Sequence, residues 1–140
     1  MILETFRLNG ALLTAGDVLV EDLGLTSARW QVLGALGLAD KPMTVAQIGR
    51  RMGISRQAVQ RLVNEMVADG LLVLQDNPEH KRSRLVALTN TGRRAYADAD
   101  SRQIAWVNEL GAGLKASDIG NAAAVLKTLH ERLSRKNDRA

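Results

Sequence analysis

Apolar positions along the chain change their spacing several times, and each change marks an element. From about Asn9 to Leu23, Leu12, Leu13, Gly16, Leu19, Val20 and Leu23 recur every three or four residues, which predicts a helix with one apolar stripe. Leu25-Thr26 opens a second helix, with Thr26 as a cap and Trp30, Leu33 and Leu36 on its apolar face. Val45, Ile48 and Met52 mark a short third helix. It opens on Thr44-Val45-Ala46-Gln47, where Thr44 can cap the helix start while Gln47 reaches back. Gly53 follows, a residue that enters the left-handed region without a Cβ penalty. Ile54 is read as packing beneath the turn, and Ser55 as the N-cap of a fourth helix from about Arg56 to Asp69. Val59, Leu62, Val63, Met66 and Val67 form its inner face. Gln57, Gln60, Arg61 and Asn64, at i, i+3, i+4 and i+7, share the opposite face. Asp69-Gly70 stops the helix.

The period then shortens. Leu71–Leu74 and Leu85–Leu88 are short apolar runs, readable as paired strands. The segment between them contains Asn77-Pro78, which is turn chemistry, and carries Lys81, Arg82 and Arg84 toward its far end. Helical spacing returns near Thr91 and continues to about Gly111, with Ile104, Val107 and Leu110 on the later apolar face. A last helix from near Ser117 carries Ile119, Ala122, Leu126, Leu129 and Leu133. The polar tail Ser134–Ala140 is expected to fray.

A helix, a tight turn, a helix with a polar outer face and a hairpin with a basic tip make a winged helix-turn-helix. Its second helix suits the DNA major groove and its hairpin the adjacent backbone. Gln57, Gln60 and Asn64 are amides able to pair with adenine, and Arg61 can pair with guanine. Ser55 and Arg56 stand at the positive helix end, where phosphates bind. On its own the basic loop would read as ordinary solvated surface. Directly after a helix-turn-helix, a wing is the stronger reading.

Charge supports this reading. The 140 residues carry a net charge of +4, unevenly spread. Residues 1–40 hold two basic and five acidic side chains, and residues 41–94 hold ten basic and four acidic ones. Residues 95–140 hold seven and six. The positive excess therefore falls on the segment proposed to face phosphates. None of the aromatics Phe6, Trp30, Tyr96 and Trp106 lies in that segment, which favours duplex DNA over single strands that stack on clustered rings. The chain has no cysteine, no apolar run long enough for a membrane span and no basic leader at its start. A cytoplasmic protein without membrane association is expected. His80 and His130 are the only histidines, and His130-Glu131 lacks H-E-x-x-H spacing. Gly49, Gly53, Gly111 and Gly113 form no phosphate loop. No catalytic residues, metal site or cofactor are expected.

The sequence resembles the MarR family of transcriptional regulators. The resemblance rests on Leu25-Thr26-Ser27-Ala28-Arg29-Trp30-Gln31-Val32-Leu33, the run Gly53 to Val63, Asp69-Gly70-Leu71, and Lys81 to Thr89 with Gly92 and Arg93. It covers almost the whole chain. It implies one domain over residues 1–140, with a DNA-binding lobe at about 26–90 and helical dimerisation regions at about 1–24 and 91–140. The fold expected is mainly α with a small β-hairpin wing, a winged helix-turn-helix with N- and C-terminal dimerisation helices. The function implied is a homodimeric, sequence-specific regulator of double-stranded DNA, most often a repressor. A small-molecule effector between the dimer helices and the lobe also belongs to the resemblance. Trp30 stands in the right segment for that pocket, although plain core is the preferred reading.

The sequence leaves the family pattern at one position. The family usually places an acid two residues before the wing arginine matching Arg82, where it helps to orient that arginine; here the residue is His80. Glu79 and Asp76 are candidates for the orienting role. Protonated His80 near phosphates would raise DNA affinity as pH falls. Two other functions compete with the regulator reading. A winged-helix protein-interaction module would lack the amides and cations of Gln57, Gln60, Arg61 and Arg82. A nonspecific chromatin-like DNA binder would show no large ratio of specific to random affinity.

Overall fold

A computed structural model describes residues 1–137 of the chain. Its packing divides the chain into two compact units, Met1–Ile104 and Ala105–Ala140. No helix among the described residues is long and apolar enough to cross a membrane.

In the first unit, helix α1 spans Ile2–Val20 and ends in a short 3-10 turn, Glu21–Leu23, closed by Gly24 at φ 69°. It begins about two turns before the expected stripe. Only Gly16 and Val20 of α1 are buried, while Leu12 and Leu13 stay 38% exposed. The C-terminal half of the stripe, Gly16, Leu19, Val20 and Leu23, packs on the core, whereas Leu12 and Leu13 stay exposed among the described residues. Helix α2, Ser27–Ala39, starts where Thr26 accepts from the Arg29 amide and buries Val32, Leu33, Ala35 and Leu36. Strand β1, Met43–Thr44, leads straight into helix α3, Val45–Met52. The expected capping box is present. The Gln47 amide donates to Thr44 Oγ1 at 3.2 Å, and the Thr44 amide donates to Gln47 Oε1 at 2.8 Å.

Gly53, at φ 70°, makes the turn, and Ser55 Oγ accepts from the Ala58 amide at 3.1 Å to start helix α4, Arg56–Ala68. Ile54 differs from the expectation: it remains 38% exposed, and only its amide is committed, donating to Gly49 O. Val59, Leu62, Val63 and Met66 are buried as the spacing predicts.

Strands β2, Leu72–Gln75, and β3, Leu85–Leu88, form the antiparallel hairpin, with Leu72 opposite Leu88 and Gln75 opposite Leu85. The strand β1 pairs with β3 on its other side, placing Met43 opposite Val86. This third strand has no counterpart in the periodicity, because two residues cannot show an alternation. The core of the unit gathers Val20, Leu33, Ile48, Val63, Met66 and Val86, all fully enclosed.

Helix α5, Asn90–Leu110, follows from a joint at Thr89. The Thr89 hydroxyl lies 2.7 Å from Gly70 O and 3.1 Å from Leu71 O, as donor, and accepts from the Gly92 amide at 3.0 Å. Leu71 O lies where a Cβ on Gly92 would stand. The exit of α4 and the entry of α5 are thereby fixed to each other. Arg29 makes a second tie, with Nη1 donating to Gly24 O at 3.1 Å and Nη2 paired with Asp69 at the end of α4.

The second unit contains the end of α5 and helix α6, Ala116–Asn137, joined by a turn with Gly113 at φ 82°. Helical backbone extends through Asn137, into the tail expected to fray; the rest of that expectation, residues 138–140, lies outside the described residues. No described residue of this unit is buried. Val107, Leu110, Ile119, Val125, Leu126 and Leu133 are all exposed, and Leu129 is half-buried.

Candidate nucleic-acid interface

The polar face of α4 is fully presented. Gln57, Gln60, Arg61 and Asn64 are exposed, on the side opposite the buried Val59, Leu62, Val63 and Met66. A helix with four extended polar side chains on a free face has the dimensions the major groove admits. Two of these side chains are joined in the free protein: Gln60 Nε2 donates to Asn64 Oδ1 at 2.9 Å. Ser55 and Arg56 are exposed at the helix start, with Ser55 Oγ already accepting from Ala58.

The hairpin brings its cations back to this helix. Arg56, Gln60, Arg82 and Arg84 line one cleft of about 150 Å³ together with Thr44, Val45 and Ala46 at the α3 start. Three arginines and the start of α3 thus line a common space, a concentration of positive charge that favours phosphate oxygens there. Gln57, Arg61, Asn64, Ser55 and Lys81 do not line the cleft and stand exposed around it. Arg84 is partly fixed, since its Nη2 donates to Leu74 O at 3.2 Å.

The loop that carries Arg82 is held by a residue whose role is not evident from its pattern. Asn77 is only 8% exposed, and both ends of its amide are used. Its Nδ2 donates to Ser83 O at 2.8 Å, and its Oδ1 accepts from the Glu79 amide at 3.1 Å. The Ser83 amide donates to His80 O at 3.0 Å and closes a turn immediately around Arg82. No ion pair involves Arg82 among the described residues, Glu79 and Asp76 included. The Asn-Pro signal marks a turn but carries no information on a bridge across six residues.

A separate cavity of about 410 Å³ lies beside α2, lined by Trp30, Gln31, Leu38, Met52, Tyr96 and Asp100 among others. Trp30 is half-buried and packs on the core, and it also forms part of this wall. Burial, and then the Asp100 carboxylate, push the Tyr96 phenol above its ordinary range, so it stays a neutral donor. Among the described residues no group of three His, Cys, Asp or Glu side chains is placed to hold a metal ion.

Comparison with known proteins fits this geometry. A sequence profile of the MarR family matches residues 23–83, the segment from the end of the 3-10 turn into the wing. An uncharacterized protein of Mycobacterium tuberculosis is 40% identical over 110 residues, covering 79% of this chain and 76% of its own length. The chain belongs to the MarR family. The transcriptional activatory protein BadR of Rhodopseudomonas palustris is a further relative, 30% identical over 128 residues, covering 89% of this chain and 73% of BadR. Among solved structures, a mutant MarR from E. coli complexed with operator DNA has the same fold. It aligns with a TM-score of 0.75 at 23% identity, over 91% of this chain and 94% of that one. This MarR-family chain is a DNA-binding transcriptional regulator with a winged helix-turn-helix.

Proposed function

We propose that the protein acts as a homodimer that binds a pseudo-palindromic duplex, with α4 in the major groove and the wing on the adjacent backbone or minor groove. The observation that carries this reading is the cleft. It joins Arg82 and Arg84 of the wing to Arg56 and Gln60 of α4, so one surface offers both phosphate ligands and base-reading amides. Gln57, Gln60, Arg61 and Asn64 read bases, and Ser55, Arg56, Lys81, Arg82 and Arg84 hold the backbone. The MarR–operator complex supports the same placement by similarity of fold.

Dimerisation is supported by the uncovered apolar faces. Ile2, Leu3 and Phe6 on α1 are at least 60% exposed, and no described residue of α6 is buried. Faces of this size are typical of interfaces rather than of monomer surfaces. The lobe at about 26–90 then reads DNA, and the flanking helices at about 1–24 and 91–140 join two copies. The function is binding without catalysis. Repression by occupying an operator is the simplest mode, although BadR is named as an activator. The Trp30 cavity is the natural seat for a small effector, because ring-lined cavities of this volume suit drug-sized ligands.

Selection of bound sequences from a random duplex pool tests the proposal. The expected product is an inverted repeat whose half-sites lie about one helical turn, roughly 34–36 Å, apart. Recovery of duplexes with no consensus overturns it and favours a nonspecific binder.

A further inference from the structure

The first turn of α2 is tied on two sides. Toward α1, Ser27 is only 5% exposed; its amide donates to Asp17 Oδ1 at 2.6 Å and its Oγ to Leu13 O at 2.7 Å. Gly16 approaches so closely that a Cβ there would collide with Ser27 Oγ. Toward α4, Arg29 pairs with Asp69, the residue that ends that helix. The Arg29 side chain is only 16% exposed, and its Nε is buried with no hydrogen-bond partner among the described residues.

Local energetics do not account for this pair. A cation in the first turn of α2 stands at the positive end of its helix, and a carboxylate at the C-cap of α4 stands at the negative end. Each charge is therefore disfavoured by its own helix. Burial of the guanidinium adds a desolvation cost, and its Nε gains nothing in return. What the pair supplies is geometry. Two helix ends 40 residues apart in sequence are joined by a planar group whose donors have fixed directions.

We infer that Arg29 is a positioning residue for DNA recognition: with Ser27 on one side and Asp69 on the other, it fixes the direction of α4 relative to α1. Small angles matter here. Helix α4 has 13 residues and is about 20 Å long. A tilt of about 10° pivoted at Asp69 moves the Ser55 end by about 3.5 Å, the length of one base-pair step. The consequence for DNA rests on the proposed dimer on an inverted repeat. Because α1 belongs to the faces proposed to join two copies, the angle between α1 and α4 sets which half-site spacing the dimer accepts.

Two readouts test this on the full chain, at a temperature well below the thermal midpoints. The chain has no cysteine, so Glu65→Cys on the exposed side of α4 gives one spin-label site per chain. The distance between labels in the dimer should be narrowly distributed in the parent and broader in Arg29→Met and in Asp69→Asn. The second readout is the affinity ratio between the selected inverted repeat and the same repeat with one base pair inserted between its half-sites. The insertion shifts one half-site by about 3.4 Å and turns it by about 35°. The parent should lose at least one base contact, about tenfold or more in affinity. The two variants should bind both duplexes within about threefold, and their combination should do the same, because each breaks the same tie. Asp69 is exposed, so Asp69→Asn carries the test alone if Arg29→Met fails to fold. A role in stability alone would lower the thermal midpoint and leave both readouts as in the parent. The positioning role stands only if both readouts move. If either is unchanged, the role is overturned and the dimeric DNA-binding reading remains. A parent that shows no inter-label distance and no preference for an inverted repeat overturns that reading, and this inference with it.

Discussion

Asn77 holds Ser83 with one end of its amide and Glu79 with the other, so Asn77→Ala releases the wing loop at two points. A loop tip has little core to lose, and the thermal midpoint should hardly move. The effect should appear in the salt dependence of DNA binding. Each phosphate contact contributes about 0.9 to the slope of log affinity against log salt. Asn77→Ala should lower that slope toward the value of Arg82→Ala, and the double variant should fall little further. Independent, additive losses would mean that Asn77 does not position Arg82. At α4 the hydrogen bond from Gln60 Nε2 to Asn64 Oδ1 links two of the side chains proposed to read bases, and it leaves Gln60 Oε1 and Asn64 Nδ2 for a base edge. His80, where the sequence leaves the family pattern, is exposed and contributes its backbone oxygen to the loop turn.

At the scale of elements, the joint between α4 and α5 is the most sensitive point. Gly92→Ala would drive a Cβ into Leu71 O, a backbone atom that cannot rotate away. Overpacking of this kind costs about 1–3 kcal/mol, and denaturant unfolding should show a loss in that range. A milder tie joins the 3-10 turn to α5. Arg102 pairs with Asp22, and its Nη1 also donates to Leu19 O at 3.0 Å. The hydrogen bond from Arg102, aided by its charge and opposed by desolvation, holds the Asp22 carboxyl below its ordinary 3.8. A depressed folded value means that the pair stabilises above the unfolded value and ceases to do so as pH falls through the folded one. The parent should therefore melt slightly above Asp22→Asn near neutral pH, and the two should converge below about pH 4. A constant gap across that range would contradict the assignment.

The elements themselves were largely legible because their signals are local. Thr44, Gly53 and Ser55 define both helix boundaries, Thr44 and Ser55 through side-chain caps and Gly53 through its left-handed backbone. The sequence is silent where structure depends on distant partners. The strand β1 exists only because β3 passes beside it. The first turns of α1 carry Ile2, Leu3 and Phe6, which are exposed among the described residues and so add no stripe that a core-based reading can use. The same limit applied to the site. The face of α4 followed from helical spacing, whereas the bridge by Asn77 required chain segments to meet.

For the whole molecule, the uncovered faces of α1 and α6 make the oligomeric state the decisive property. Light scattering at micromolar concentration should give twice the mass of the 15.2 kDa chain. Replacing the exposed Leu126 and Leu133 by Glu should give monomers, since charges placed in an apolar interface lose their hydration without gaining partners. Those monomers should retain binding to a half-site and lose the advantage of the full inverted repeat. Dimers of unchanged stability would place the interface elsewhere.

We propose that α4 reads sequence. The measurement that tests it most directly is the ratio of affinity for the selected duplex to affinity for random duplex, taken at one salt concentration. It should be compared between the parent and Gln57→Ala, Gln60→Ala and Arg61→Ala. Each change should cost about 1–3 kcal/mol on the selected duplex and much less on random DNA, so the ratio falls. Equal losses on both duplexes, with the ratio preserved, would contradict the account.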